Sequence, residues 1–258
     1  MLVNDFEMKF FSLGGKNAIV TGGNSGLGQA FALALAKGGA NVFVPSIIDD
    51  DGTTRSLVEA AGVGYEFELA DITNPGAPKE MVEACVERFG SIDILINSAG
   101  ICPMDEVLDF GREKWDATVQ VNLTAAFEMS YEAAKHMVPQ KSGKIINICS
   151  MFSFLGGRLS PAYAATKHGI AGLTKAYCDE LAMHNIQVNG IAPGYYATAI
   201  TTNTRSNPVT NQRVLDHIPA ARWGEAMDLM GTVVFLASRA SDYVNGHVLC
   251  VDGGYLVR

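Results

Sequence analysis

The chain has 258 residues, 48% of them hydrophobic, and a formal net charge of −8, which allows one large α/β core and excludes a general nucleic-acid binder, since phosphate neutralisation requires a basic face. No run approaches the roughly 18 apolar residues of a membrane span. The five cysteines, Cys85, Cys102, Cys149, Cys178 and Cys250, are odd in number and widely spaced with no Cys-x-x-Cys, so they suggest neither a disulfide framework nor a metal site.

Residues 1–12 read as an N-terminal extension. Asp5, Glu7 and Lys9 interrupt its apolar residues, unlike the basic start and unbroken apolar run of a secretory signal, so a cytoplasmic protein is expected. A first strand over 18–21 leads into Thr21-Gly22-Gly23-Asn24-Ser25-Gly26-Leu27-Gly28 and then a helix over 27–37. In that context the glycines serve a tight turn, a bare backbone for a pyrophosphate and close helix–strand packing, with the helix N-terminus facing the phosphate. An ordinary strand-to-helix turn is the competing reading, weakened by the position of the motif near the domain start.

Further strands are predicted over 41–44, 65–69, 92–96, 144–149, 187–191 and 248–251, and further helices over 77–89, 113–137, 163–184 and 226–238. Strands apolar on both faces, alternating with helices, suit a doubly wound parallel sheet. No linker divides the chain, so one domain over 1–258 is expected. Ligands of such sheets bind beyond the carboxyl ends of the strands, where the glycine turn, Asn97-Ser98-Ala99-Gly100 and Ser150 gather. The irregular stretch 193–222, rich in Thr, Asn and Ser and with room for a short helix within 199–215, looks like a cover over a site.

Tyr163 and Lys167 stand four residues apart on one predicted helix, hence on one face. A free phenol at a pKa of about 10 is a poor acid–base catalyst at neutral pH, and a neighbouring cation favours its ionised form. Lowering it by about three units takes roughly 4 kcal/mol of differential stabilisation.

In order, Thr21-Gly22-x-x-x-Gly26-x-Gly28, Asp71, Asn97-Ser98-Ala99-Gly100, Asn122, Ser150, Tyr163-x-x-x-Lys167 and Pro193-Gly194-x-x-x-Thr198 make the chain resemble a short-chain dehydrogenase/reductase from about residue 13 onward. The resemblance implies a Rossmann-type fold with a seven-stranded parallel sheet, a nicotinamide cofactor and a homotetramer. It assigns Tyr163 as general acid–base, Ser150 to the same substrate oxygen, Lys167 to the phenol and the nicotinamide ribose, and Asn122 to a water in a proton relay. The implied cofactor residues are Gly22, Asn24, Ser25, Gly26, Leu27, Gly28, Ser46, Asp71, Ile72, Asn97, Ser98, Ala99, Gly100, Tyr163, Lys167, Pro193, Gly194 and Thr198.

For cofactor choice, Ser46 occupies the position of an acidic ribose partner in NAD-specific relatives. Neither Ser25 nor Ile47 supplies a cation for an NADP phosphate, and Asp49, Asp50 and Asp51 follow, so NAD is preferred over NADP. The segment 218–246 resembles the 2-deoxy-D-gluconate 3-dehydrogenase and gluconate 5-dehydrogenase branch, implying a sugar-acid substrate bound by Ser150, Phe152, Arg158, Tyr163 and Tyr195. Asn147 and Tyr196 are further hydroxyl partners, and Arg205, Arg213 and His217 are further candidates for a carboxylate. Cys102-Pro103-Met104 departs from that branch, where arginines often follow the Asn-x-Ala-Gly segment. The alternatives are a 3-oxoacyl-carrier-protein reductase, poorly suited to an acidic chain without basic cofactor residues, and a non-catalytic dinucleotide sensor, in which Tyr or Lys is commonly lost.

Overall fold

The computed structural model describes residues 5–258; the first four residues of the N-terminal extension lie outside the described residues. Seven strands, β1 (Asn17–Val20), β2 (Asn41–Ser46), β3 (Tyr65–Leu69), β4 (Ile94–Asn97), β5 (Gly143–Ile148), β6 (Ile186–Pro193) and β7 (Val248–Val251), form one sheet. Its order is β3-β2-β1-β4-β5-β6-β7, and every pairing is parallel.

Alternation along the strands divides the core. Ile19, Phe43, Leu95, Ile145 and Val188 meet the helices α3 (Ala77–Phe89) and α5 (Ala125–Gln140), with α6 (Pro161–Leu181) at the edge of that layer. Ala18, Val20, Val42, Val44, Ile94, Ile96, Ile146 and Ile191 meet α1 (Gly26–Gly38) and α9 (Met227–Ala237) on the other face. Each fully buried Ile or Leu contributes roughly 1.5–3 kcal/mol relative to exposure, so both faces of the central strands must be apolar. The fold is therefore a single α/β domain of the Rossmann type. β1 lies between β2 and β4, and this reversal of strand order opens a crevice at the carboxyl ends of the strands.

The differences from the sequence expectation are local. β2 continues through Pro45 to Ser46 rather than stopping at 44, because Pro45 lies beyond the last pair with β1, Ile19 with Phe43, so its missing N–H removes no bond to that strand. A short helix α2 (Thr53–Glu59) was not expected; the Asp51 carboxylate accepts from Thr53 N at 2.9 Å at its start. The predicted helix over 113–137 is instead α4 (Arg112–Val119), a π-helical turn (Gln120–Thr124) and α5. In the stretch 193–222 the chain forms α7 (Thr202–Ser206) and α8 (Pro208–His217).

Candidate active site

The glycine turn is shaped by contacts on one side and space on the other. Gly22 and Gly26 have positive φ, at 65° and 53°, where a side chain is strained. A Cβ on Gly28 would run into the Gly22 carbonyl, whereas one on Gly26 would meet nothing within 4 Å. Ser25 precedes α1 without a side-chain capping bond, leaving the first N–H groups of α1 directed outward. Asn24 Nδ2 donates to Ile48 O at 2.7 Å, and Asn24 Oδ1 is buried without a partner. Bare backbone, open space and unused donors fit the pyrophosphate of a dinucleotide.

The opposite wall is fixed by Thr21, whose hydroxyl accepts from Ser98 N at 2.9 Å and Ala99 N at 3.0 Å. Thr21 opens the glycine motif, but its partners are 77 and 78 residues away, so the sequence carried no signal of this role. Asn97 turns inward: its Nδ2 reaches Ser130 Oγ at 2.9 Å and Asn147 Oδ1 at 2.8 Å, and its own Oδ1 has no partner. Asn147 in turn donates to Thr174 Oγ1 at 2.9 Å. A buried amide ladder thus ties the ends of β4 and β5 together beneath the cleft, and it engages Asn147, read from sequence as a substrate partner.

Toward the second strand, Ser46 is buried with its hydroxyl accepting from Ile48 N at 3.1 Å. Asp50 accepts from Tyr65 OH at 2.9 Å, Asp51 is held at α2, and Asp49 is exposed. Asp71 Oδ1 accepts from Thr73 Oγ1 at 2.6 Å, which leaves its second oxygen for a ligand, and Ile72 beside it is buried.

Ser150 leaves β5, and its hydroxyl accepts from Phe152 N at 3.2 Å. Ser153 closes the turn by accepting from Ser150 N at 3.2 Å and donating to Lys167 O at 2.7 Å. α6 begins at Pro161, where the missing N–H costs nothing, and carries Tyr163 and Lys167 on one face with Lys167 Nζ 5.4 Å from the Tyr163 ring centre. Lys167 donates to Ile148 O at 2.6 Å. Burial pushes the Tyr163 phenol up to about 12, assisted by the Cys102 thiol and opposed by a hydrogen bond with Ser150. Burial likewise pushes the Lys167 ammonium below its ordinary value. In the chain by itself burial therefore dominates the phenol, and the lowering influence comes from Ser150 rather than from Lys167 as the sequence led one to expect.

Asn122 sits in the π-helical turn, 2% exposed, with both ends of its amide engaged: it accepts from Ile101 N at 2.8 Å and donates to Ile101 O at 2.9 Å. Its side chain therefore pins the strand-exit loop beside Gly100, where a Cβ would lie 3.9 Å from Lys167 Nζ.

Gly194, after Pro193, packs so closely on Asp252 that a Cβ would lie 2.7 Å from its Cα. Thr198 caps the following turn, where Thr201 Oγ1 accepts from Thr198 N at 3.1 Å. Phe152 stands edge-on to Tyr163 at 6.1 Å. Tyr195 packs on Trp223 and Tyr255, each at 5.4 Å. Tyr196, read from sequence as a substrate partner, is instead buried and donates to Val251 O at 2.9 Å. Arg158 is exposed, and Arg205 is engaged by the backbone carbonyl of Thr198 at 3.0 Å. Among the described residues no cluster of three metal-ligating side chains occurs, and no helix is long and apolar enough to cross a membrane.

A doubly wound sheet with this glycine turn and a serine, tyrosine and lysine at its carboxyl edge defines a dinucleotide-dependent oxidoreductase, and the chain belongs to the short-chain dehydrogenase/reductase family. Residues 22–256 match a family model described as enoyl-(acyl carrier protein) reductase. The chain is 70% identical to the uncharacterized oxidoreductase YgcW of Escherichia coli (strain K12), over 99% of this chain and 98% of that protein. It is 48% identical to the 2-dehydro-3-deoxy-D-gluconate 5-dehydrogenase of Bacillus subtilis (strain 168), over 96% and 97%. Among solved structures, a gluconate 5-dehydrogenase from Burkholderia cenocepacia J2315 in complex with NADP and tartrate superposes with a TM-score of 0.91 at 34% identity, covering 97% of this chain and 98% of that one.

Proposed function

We propose that the protein interconverts a secondary alcohol and a ketone on a sugar acid, using a nicotinamide dinucleotide. The observation that carries the reaction is the placement of the Tyr163 hydroxyl beside Ser150, with the Lys167 ammonium buried on the same helical face. Relatives across nearly the whole chain named for deoxygluconate and gluconate support the substrate class.

The dinucleotide, when bound, supplies or removes the hydride. The glycine turn and the first turn of α1 hold its pyrophosphate; Asp71, Ile72 and the Ser98–Gly100 segment line its cleft, and Pro193, Gly194 and Thr198 border its far end. Ser150 hydrogen-bonds the reacting oxygen and stabilises the charge that develops there. Tyr163 exchanges the proton with that oxygen. Held up at about 12 by burial, the phenol is fully in its acid form at neutral pH, ready to protonate a ketone oxygen; in alcohol oxidation it must first be drawn down by added positive charge. Lys167 supplies part of that charge and binds the ribose, and Asn122 orders the relay that links Lys167 to solvent. Tyr195, Phe152 and Arg158 border the substrate beneath the 193–222 cover.

NAD is the favoured cofactor, because Asp49 stands exposed beyond the end of β2 and residues 46–48 provide no cation for a 2′-phosphate. The Burkholderia relative holds NADP, which makes parallel titration with NADH and NADPH the deciding measurement. A cytoplasmic homotetramer is proposed as well: Phe127 and Tyr131 on α5 stack at 6.3 Å while 45% and 50% exposed, and Phe127 meets Tyr177 of α6 edge-on, an apolar surface suited to a second copy. Light scattering of the purified protein tests the assembly.

The test of function is a dehydrogenase assay over polyols, sugar acids and an acetoacetyl thioester. Turnover confined to sugar acids is expected. Preference for the thioester would make the protein a carrier-linked reductase, and dinucleotide binding without turnover of any compound would make it a sensor.

A further inference from the structure

We propose that Arg213, on α8, takes the carboxylate of the substrate, assisted by His217 and seated against an aromatic wall of Tyr195, Trp223 and Tyr255. This inference rests on the sugar-acid reading above and assigns the anionic end of that substrate to one lip of the cleft.

The sheet order places β5, which delivers Ser150, between β4 and β6. The loops that follow β4 and β6 therefore form opposite lips of the reaction site. The β4 lip presents Cys102, Pro103 and Met104, and beyond them Asp105, Glu106 and Asp109. Asp105 N donates to Leu159 O at 2.8 Å, so the loop bearing Arg158 lies against this acidic lip. An incoming carboxylate meets repulsion there, weakened but not removed by the ion pair of Lys114 with Asp105.

The β6 lip is different. Tyr195 lies edge-on to both Trp223 and Tyr255 at 5.4 Å, and His217 lies 4.3 Å from Tyr255. Trp223 Nε1 donates to Asn211 Oδ1 at 2.8 Å, and Val214 is buried, so α8 is docked through residues 211 and 214. Arg213 and His217, four residues apart, share an adjacent flank of the helix, the one on which His217 meets the aromatic wall. Arg213 also acts electrostatically on Tyr195, opposing the upward push that burial gives its phenol.

The remaining arginines of this lip are occupied. Arg205 holds Thr198 O at 3.0 Å and Thr201 Oγ1 at 3.3 Å; Arg222 forks onto Asp228 at 2.7 and 2.9 Å; Arg258 donates to Asp216 O at 3.1 Å. Arg213 has no hydrogen bond or ion pair among the described residues. A guanidinium with five free donors beside an apolar wall matches a carboxylate in two-pronged fashion.

The test compares steady-state kinetics on gluconate, or the sugar acid that the wild type uses best, with those on the neutral polyol of the same length. Arg213→Gln is expected to raise KM for the acid about ten- to hundredfold, the range for losing a hydrogen bond between charged groups. The kcat should stay within about threefold and KM for the polyol should be unchanged; Arg213→Lys should recover part of the loss. An unchanged KM for the acid, or a rise confined to Arg158→Ala, overturns the assignment. An equal rise for acid and polyol also overturns it, since Arg213 then serves only to hold α8. Wild-type protein that turns over no sugar acid at all defeats the proposed function itself, an outcome visible before any variant is made.

Discussion

Replacing Asn122 with alanine separates two roles for that residue: ordering a proton relay, and pinning the loop after β4. The variant removes the acceptor for Ile101 N and the donor for Ile101 O, bonds of 2.8 and 2.9 Å. A polar group left unsatisfied costs about 1–3 kcal/mol. Because Ile101 is only half-buried, the lower part of that range applies, and the two together come to about 2–4 kcal/mol. For a chain of this size that corresponds to a melting temperature lower by about 4–8 °C. Loosening the loop also moves Gly100 and the cofactor wall, so dinucleotide affinity should fall at least about tenfold, the equivalent of one lost hydrogen bond. Calorimetry or urea unfolding reads the first quantity and fluorescence titration the second. An Asn122→Ala protein with wild-type melting and wild-type cofactor affinity, but a depressed kcat, would refute the pin and leave the relay alone.

Tyr163→Phe should retain cofactor affinity within about twofold while kcat falls about a thousandfold, because the ring still packs on Phe152 and only the transferable proton is gone; near-wild-type turnover would remove Tyr163 from the reaction. Ser46→Asp should shift the NADH-to-NADPH affinity ratio about tenfold toward NADH by placing a carboxylate at the end of β2, as titration of both cofactors reads, and tighter NADPH binding by the wild type would overturn the NAD preference. Gly28→Ala should lower stability by about 1–3 kcal/mol in urea unfolding, since its Cβ has to displace the Gly22 carbonyl. Arg222 and the Glu225 N–H hold the Asp228 carboxyl at about 2, below its unfolded value, so the pair stabilises the fold above about pH 4 and loses that contribution as pH falls through about 2. Screening at this partly exposed pair keeps the effect of Asp228→Asn below about 1 kcal/mol at pH 7, and the difference in melting temperature from wild type should shrink as pH falls from about 4 toward 2.

The sheet was legible because its signal is local: apolar runs of four to eight residues separated by helical periodicity. Strand ends shifted by a few residues where tertiary bonds decide them, as at Thr21, which leaves β1 to hold the backbone of Ser98 and Ala99. α2 escaped notice because its start is set by the Asp51 side chain rather than by an apolar stripe. In the site, spacing alone brought Tyr163 and Lys167 together, but no local pattern reveals Ser153, which ties Ser150 to the backbone of Lys167, or the amide ladder under Asn97. The electrostatic balance at Tyr163 was equally hidden, since burial is a property of the assembled fold. Arg205 and Arg213 looked alike as residues in a polar stretch; only their partners distinguish them.

The π-helical turn at Gln120–Thr124 has a bearing on how this chain tolerates insertion and deletion. The widened turn takes up one residue more than a regular turn while the helices on either side keep their phases. Deleting that residue would let α4 and α5 run on with regular winding and leave Met129, Ala133 and Met137, all fully buried, facing the core, but it would draw Asn122 out of the bulge and away from Ile101. The extra residue thus serves the grip on the loop after β4 rather than the packing of α5, and a one-residue deletion in this segment should spare the hydrophobic interior while releasing that loop.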